Sequence, residues 1–189
     1  MADVILFHHV LGLTPGVIRF ADQLRAAGHR VTVPDLYEGA TFSSLEDGGA
    51  YAEEIGFDTI VERGVAAAAA VPDRAVYAGF SLGVMPAQKL AQTQAGALAA
   101  ILYHGGVPAS LYGTEWPADV VLHAHVNDQD PWGELDDVVA PLVKGAADAQ
   151  LFTYSGTDHL FTDAGLAEYD PASAKLVMER TLSLLSRWP

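Results

Sequence analysis

The chain has 189 residues, 50% of them hydrophobic and 18% charged, which suits one sizeable domain over 1–189 and excludes a disordered chain. Ten Lys and Arg stand against 24 Asp and Glu, and the formal net charge of -14 argues against nucleic acid and anionic membrane surfaces as partners. With no Cys in the sequence, disulfides and thiolate chemistry are excluded and a reducing cytoplasm is the expected compartment; no apolar run approaches the ~20 residues of a membrane span.

Val4–Phe7 is a β-branched and aromatic run followed by a Gly/Pro loop at 12–16, the pattern of a buried strand and its exit. Val17, Phe20, Ala21 and Leu24 then recur at helical spacing, with Gly28 placed to end the helix. A second strand is expected over 30–34. Residues 35–56 show no clear period and read as a long loop or broken helix. A helix over 58–70 stops at Pro72-Asp73, and a strand follows at 75–78. The alternation continues with a helix over 82–94, a strand over 97–103, a Gly-rich loop ending near Pro117 and a strand over 120–126. A short helix at 135–144, a strand at 150–154 and an amphipathic helix at 172–187 complete it. About six strands with intervening helices predict an α/β fold, a mostly parallel sheet covered on both faces, whose ligand site lies beyond the carboxyl ends of the strands.

The loop that follows the 75–78 strand carries Gly79-Phe80-Ser81-Leu82-Gly83 and opens a helix, the context of a nucleophile elbow. A serine hydroxyl needs a base within hydrogen-bond reach, and of the seven histidines His159 stands in the loop after the final strand, where the chain order Ser, acid, His puts it. The acid should follow the preceding strand, where Asp128 and Asp130 both stand. Asp130 is favoured, although it also suits the N-cap of the next helix with Pro131 at the first position, and if it caps, Asp128 is the acid. Oxyanion donors are expected at the amides of Leu82 and Val10.

These residues resemble the dienelactone hydrolase family of the α/β-hydrolase superfamily over nearly the whole chain. The resemblance rests on 8–13 (HHVLGL), 34–37 (PDLY), the elbow at Ser81, 129–132 (QDPW) and 156–161 (GTDHLF). It implies an α/β-hydrolase fold lacking the superfamily's first two strands, with Asp130 as acid, His159 as base and Val10 as second oxyanion donor. The best-known members use a cysteine nucleophile where this chain has Ser81, carry a glutamate where His9 stands and an arginine near Asp163; their absence implies an ordinary serine esterase.

His123 and His125 alternate on one strand, with His8, His9, His104 and Asp128 in nearby loops, but histidines buried and hydrogen-bonded through one nitrogen are the commoner arrangement, and no metal is assigned. Tyr37, Trp116 and Trp132, with His9, are possible residues of the site mouth. The expected activity is cleavage of a small neutral ester or lactone, or a thioester, without a cofactor. A silent hydrolase fold serving as a ligand receptor or interaction module is the rival. None of the six loops at the carboxyl ends of the strands contains Lys or Arg, and Arg19 in the first helix is the nearest cation.

Overall fold

The computed structural model describes residues 1–189 except Thr114, which falls in the expected Gly-rich loop. Six strands, β1 (Asp3–Phe7), β2 (Arg30–Thr32), β3 (Val76–Phe80), β4 (Ala99–Tyr103), β5 (Val121–Asn127) and β6 (Ala149–Tyr154), form one sheet in the order β2-β1-β3-β4-β5-β6. Every neighbouring pair is parallel, with Val4 beside Val76, Val76 beside Ala99 and Ala99 beside Val121. Parallel strands need covering on both faces, and β3, β4 and β5 are buried at every residue; β3 and β4 accordingly read as apolar runs without alternation, while β5 buries His123, His125 and Asn127 as well.

The two-residue period sorts these side chains onto two cores. Leu6, Ala78, Phe80, Ile101 and Tyr103 meet α1 (Pro15–Ala26) and α6 (Pro171–Leu185). Ile5, Phe7, Tyr77, Ala100 and Leu102 point the other way, towards α2 (Leu45–Ile55), α3 (Phe57–Ala68) and α4 (Val84–Thr93). Thr14 caps α1 by accepting the Val17 amide, ahead of Pro15. No helix among the described residues is long and apolar enough to cross a membrane.

Two elements depart from expectation. Residues 45–55, expected as loop or broken helix, form the continuous helix α2, capped by Ser44 on the Asp47 amide. Gly48 and Gly49 dilute its period, but Gly48 lets it dock: a Cβ there would lie 2.3 Å from the Val10 carbonyl oxygen. The single helix expected over 135–144 is a wide turn at Leu135–Val139, in which the Val139 amide reaches back five residues to Glu134, followed by α5 (Ala140–Gly145). Pro141 has no amide to continue an ordinary ladder across that junction.

Candidate active site

The turn from β3 to α4 is tight enough to dictate its glycines. A Cβ at Gly79 would lie 2.1 Å from the Gly83 carbonyl oxygen, and one at Gly83 would lie 2.5 Å from that of Phe7 and 2.7 Å from that of His8. Between them Ser81 takes a left-handed conformation at φ 48°, which lifts its side chain off the end of the sheet.

Ser81, His159 and Asp130 meet in one hydrogen-bonded line. His159 Nδ1 donates to Asp130 Oδ2 at 2.6 Å, which leaves Nε2 to accept from Ser81 Oγ at 2.7 Å. The other Asp130 oxygen accepts the Trp132 amide at 2.9 Å, so this carboxylate both braces its own turn and holds the imidazole. Asp130 and His159 are buried, whereas Asp128 is exposed. Asp128 accepts the Gly156 amide at 3.1 Å, tying down the loop that carries His159 without touching the ring. Asn127 assists by donating to the Asp158 carbonyl at 2.8 Å.

Ser81 and His159 line a cavity of about 780 Å³ together with Val10, Leu82, His104 and Trp132. Its remaining walls come mainly from α2 and the start of α3. Leu45, Ala50 and Phe57 supply apolar surface and Glu46 and Glu53 carboxylates, with Glu134 contributing a third beside Trp132. Among the described residues, no Lys or Arg lines it. Arg19 instead borders a separate hollow between α1 and α6.

Several side chains expected at the mouth lie elsewhere. Trp132 lines the cavity and is 66% exposed. Tyr37 is buried beneath α2, its hydroxyl donating to the Gly48 carbonyl at 3.4 Å and its ring edge-on to His8. Trp116 is core, donating Nε1–H to the Val120 carbonyl at 2.7 Å. His9 is buried away from the cavity, donating Nε2–H to Asp163 at 2.9 Å.

Of the histidines weighed as metal ligands, His8, His9, His104 and His125 are hydrogen-bonded to protein groups, whereas the buried Nδ1 of His123 has no partner among the described residues. His8 accepts the Leu36 amide, His104 Nε2 pairs with the Thr162 hydroxyl at 2.7 Å, and His125 Nδ1 pairs with the Tyr154 hydroxyl at 2.8 Å. Burial pushes His8 and His123 down to about 4, and His104 and His125 well below the ordinary histidine range. The wall residues of α2 and the approach of His104 went unread in the sequence. The one available signal was Ser44 three residues ahead of Asp47, a capping pattern that marks a helix start.

The solved structures with this fold include a Klebsiella pneumoniae subsp. pneumoniae protein assigned as a dienelactone hydrolase, 18% identical at a TM-score of 0.78 over 100% of this chain and 88% of that one. They include the dienelactone hydrolase-like promiscuous phosphotriesterase P91 from metagenomic libraries, 20% identical at 0.74 over 99% and 86%. A third is the dienelactone hydrolase of Anabaena variabilis, 15% identical at 0.69 over 99% and 86%. No curated protein sequence matches the chain. The model of the dienelactone hydrolase family matches residues 1–188, and the chain belongs to that family of α/β-fold ester hydrolases.

Proposed function

We propose that the protein is a serine esterase that cleaves a small uncharged ester or lactone through an acyl-Ser81 intermediate. The observation that carries the reading is the hydrogen-bonded line from Ser81 through His159 to Asp130, whose first two members line the cavity. Ser81 Oγ attacks the carbonyl carbon as its proton passes to His159 Nε2, and Asp130 compensates the imidazolium. The amides of Leu82 and Val10 receive the oxyanion. Collapse expels the alcohol, which takes the proton from His159. Water then repeats the sequence on the acyl-serine and releases the carboxylic acid. These steps draw on side chains and backbone amides of this chain alone.

The charge of the walls bears on the substrate. Glu46, Glu53 and Glu134 face the cavity with no lining cation among the described residues, and the chain carries -14 overall, so an anionic substrate is repelled and finds no clamp. Neutral esters are therefore expected to turn over faster than matched carboxylate-bearing esters or coenzyme A thioesters. Comparing kcat/KM for such a pair at low and high salt checks this: the gap should narrow as salt rises, and faster turnover of the anion at low salt would contradict it.

The mechanism is tested with a fluorophosphonate probe, which should label Ser81 in the wild type and nothing in Ser81→Ala. Loss of a triad serine costs ~10⁶ in turnover. Ser81→Ala keeping more than a few per cent of wild-type activity would rule out the acyl-enzyme.

A further inference from the structure

A second histidine–aspartate couple lies buried beside the site, and the proposed chemistry leaves it without a role. His9 and Asp163 are 1% and 4% exposed. Asp163 Oδ2 accepts from His9 Nε2 at 2.9 Å and from the Thr14 hydroxyl at 2.6 Å, and Oδ1 accepts the Gly165 amide at 2.7 Å. Burial alone would push this carboxyl up, but the bonds from His9, Thr14 and Gly165 outweigh it and hold it below the usual range. Space for the carboxylate depends on Gly16, where a Cβ would lie 1.5 Å from Oδ1.

The imidazole is fully committed. Its Nδ1 accepts the Leu11 amide at 3.3 Å, so the ring proton sits on Nε2 and the ring has no nitrogen left for a substrate. The main chain of His9 is held as firmly. Its carbonyl accepts from His8 Nδ1 at 2.8 Å and from the Gly12 amide at 3.0 Å, and His8 is fixed in turn by the Leu36 amide on Nε2 at 3.0 Å.

That carbonyl is one end of the peptide unit whose other end is the Val10 N–H. A planar trans peptide points its C=O and N–H in opposite directions, so pinning the His9 oxygen inward aims the Val10 hydrogen outward. Val10 lines the cavity that holds Ser81. We propose that His9 and Asp163 are positioning residues that hold the His9–Val10 peptide plane so that the Val10 amide stabilises the oxyanion. Asp163 lies four residues beyond His159, so the same carboxylate joins the loop of the oxyanion donor to the loop of the base, with Thr14 adding the cap of α1. The inference rests on the esterase reading above.

The test uses the full chain with its fluorophosphonate-titrated active-site concentration, so that loss of folded protein is not mistaken for loss of rate. Asp163→Ala and His9→Phe each remove the bond between the loops. Per active site, kcat should fall roughly 10- to 100-fold while KM moves less than about 3-fold, because a misaimed donor costs the transition state and leaves the ground state alone. Inhibition by phenylboronic acid, whose tetrahedral adduct on Ser81 places an oxygen between the same amides, should weaken by a factor parallel to the loss in kcat. A purely structural couple would lower Tm and the titratable fraction but leave kcat per site and boronate inhibition unchanged, and that result overturns the proposal. If both variants fail to fold, nitrogen-15 NMR of the wild type decides. The Val10 amide proton must shift downfield on boronate binding and His9 must show the Nε2–H tautomer, and failure of either overturns it. Ser81→Ala retaining turnover would instead sink the esterase reading, so the two failures are distinguishable.

Discussion

Asp130 shows how one carboxylate can brace a turn and hold an imidazole at the same time. Cap and acid compete for one carboxylate on paper, because each role is written as a whole residue. In the fold no helix begins at Pro131, so Asp130 is not an N-cap; its two oxygens divide between a local turn, where Oδ1 accepts the Trp132 amide, and the imidazole of His159 at Oδ2. Asp130→Asn is therefore expected to lower turnover by roughly 10⁴ with a modest loss of stability, since a neutral amide no longer compensates the imidazolium and presents the wrong tautomer. Asp128→Asn, which loses only an exposed bond to the Gly156 amide, should cost about 1 kcal/mol or less and leave kcat within a few-fold. Steady-state kinetics with thermal melts on both variants check this, and the reverse pattern would move the acid to Asp128. The meeting of Ser81, His159 and Asp130 in one hydrogen-bonded line was legible because each stands just after a strand at the same end of a parallel sheet. The burial of His9 and Tyr37 was not, because Asp163 lies 154 residues beyond His9 and Gly48 sits on a helix whose weak period hides that it packs over Tyr37.

Among the elements, the strands were legible and α2 was not. Buried parallel strands leave a run of apolar residues that local sequence alone exposes, whereas α2 carries two adjacent glycines and buries only Gly48 and Ala52, so its period is weak. Tertiary docking on the Val10 loop supplies what propensity lacks. The two glycines should accordingly respond in opposite ways. Gly49 has nothing within 4 Å of a new Cβ, so Gly49→Ala should raise stability by about 0.5–1 kcal/mol through helix propensity. Gly48→Ala would drive a Cβ into the Val10 carbonyl and should both destabilise the fold and lower kcat, because the residue it pushes lines the Ser81 cavity. Urea melts and kinetics on the pair separate the effects, and equal outcomes would deny that α2 is docked through Gly48.

Across the whole molecule, burial decides how acid affects stability. His8, His104 and His125 are at most 1% exposed and are kept neutral by desolvation, while His123 is 7% exposed and shifted the same way. An unfolded chain protonates such histidines near pH 6.5 and the native state does not, so below that value the unfolded state binds more protons and native stability falls. The stability is fully present above about pH 6.5, and each excluded histidine removes about 1.4 kcal/mol per pH unit until its own folded value is reached. Asp163, held below its usual range, adds a further loss in more acidic solution still, as pH falls through its folded value. Urea midpoints should drop steadily between pH 7 and pH 5, and a flat profile over that interval would contradict neutral burial of these rings.

Among the described residues, the non-glycine positions in the left-handed region are Glu38, Ser81, His104 and Glu134, and the last three line the Ser81 cavity. Left-handed backbone costs a side-chain-bearing residue about 1–3 kcal/mol, so the molecule concentrates its backbone tension around the chemistry. Endurance and activity consequently pull against each other here. Glu134→Gly relaxes one of these positions and should raise Tm by roughly 2–4 °C for each kcal/mol recovered, while removing one of the carboxylates that repel anions. A laboratory lineage selected for heat resistance alone would be drawn towards glycine around this cavity and would drift away from its own catalysis, whereas one selected for turnover would have to keep a local weakness in its scaffold.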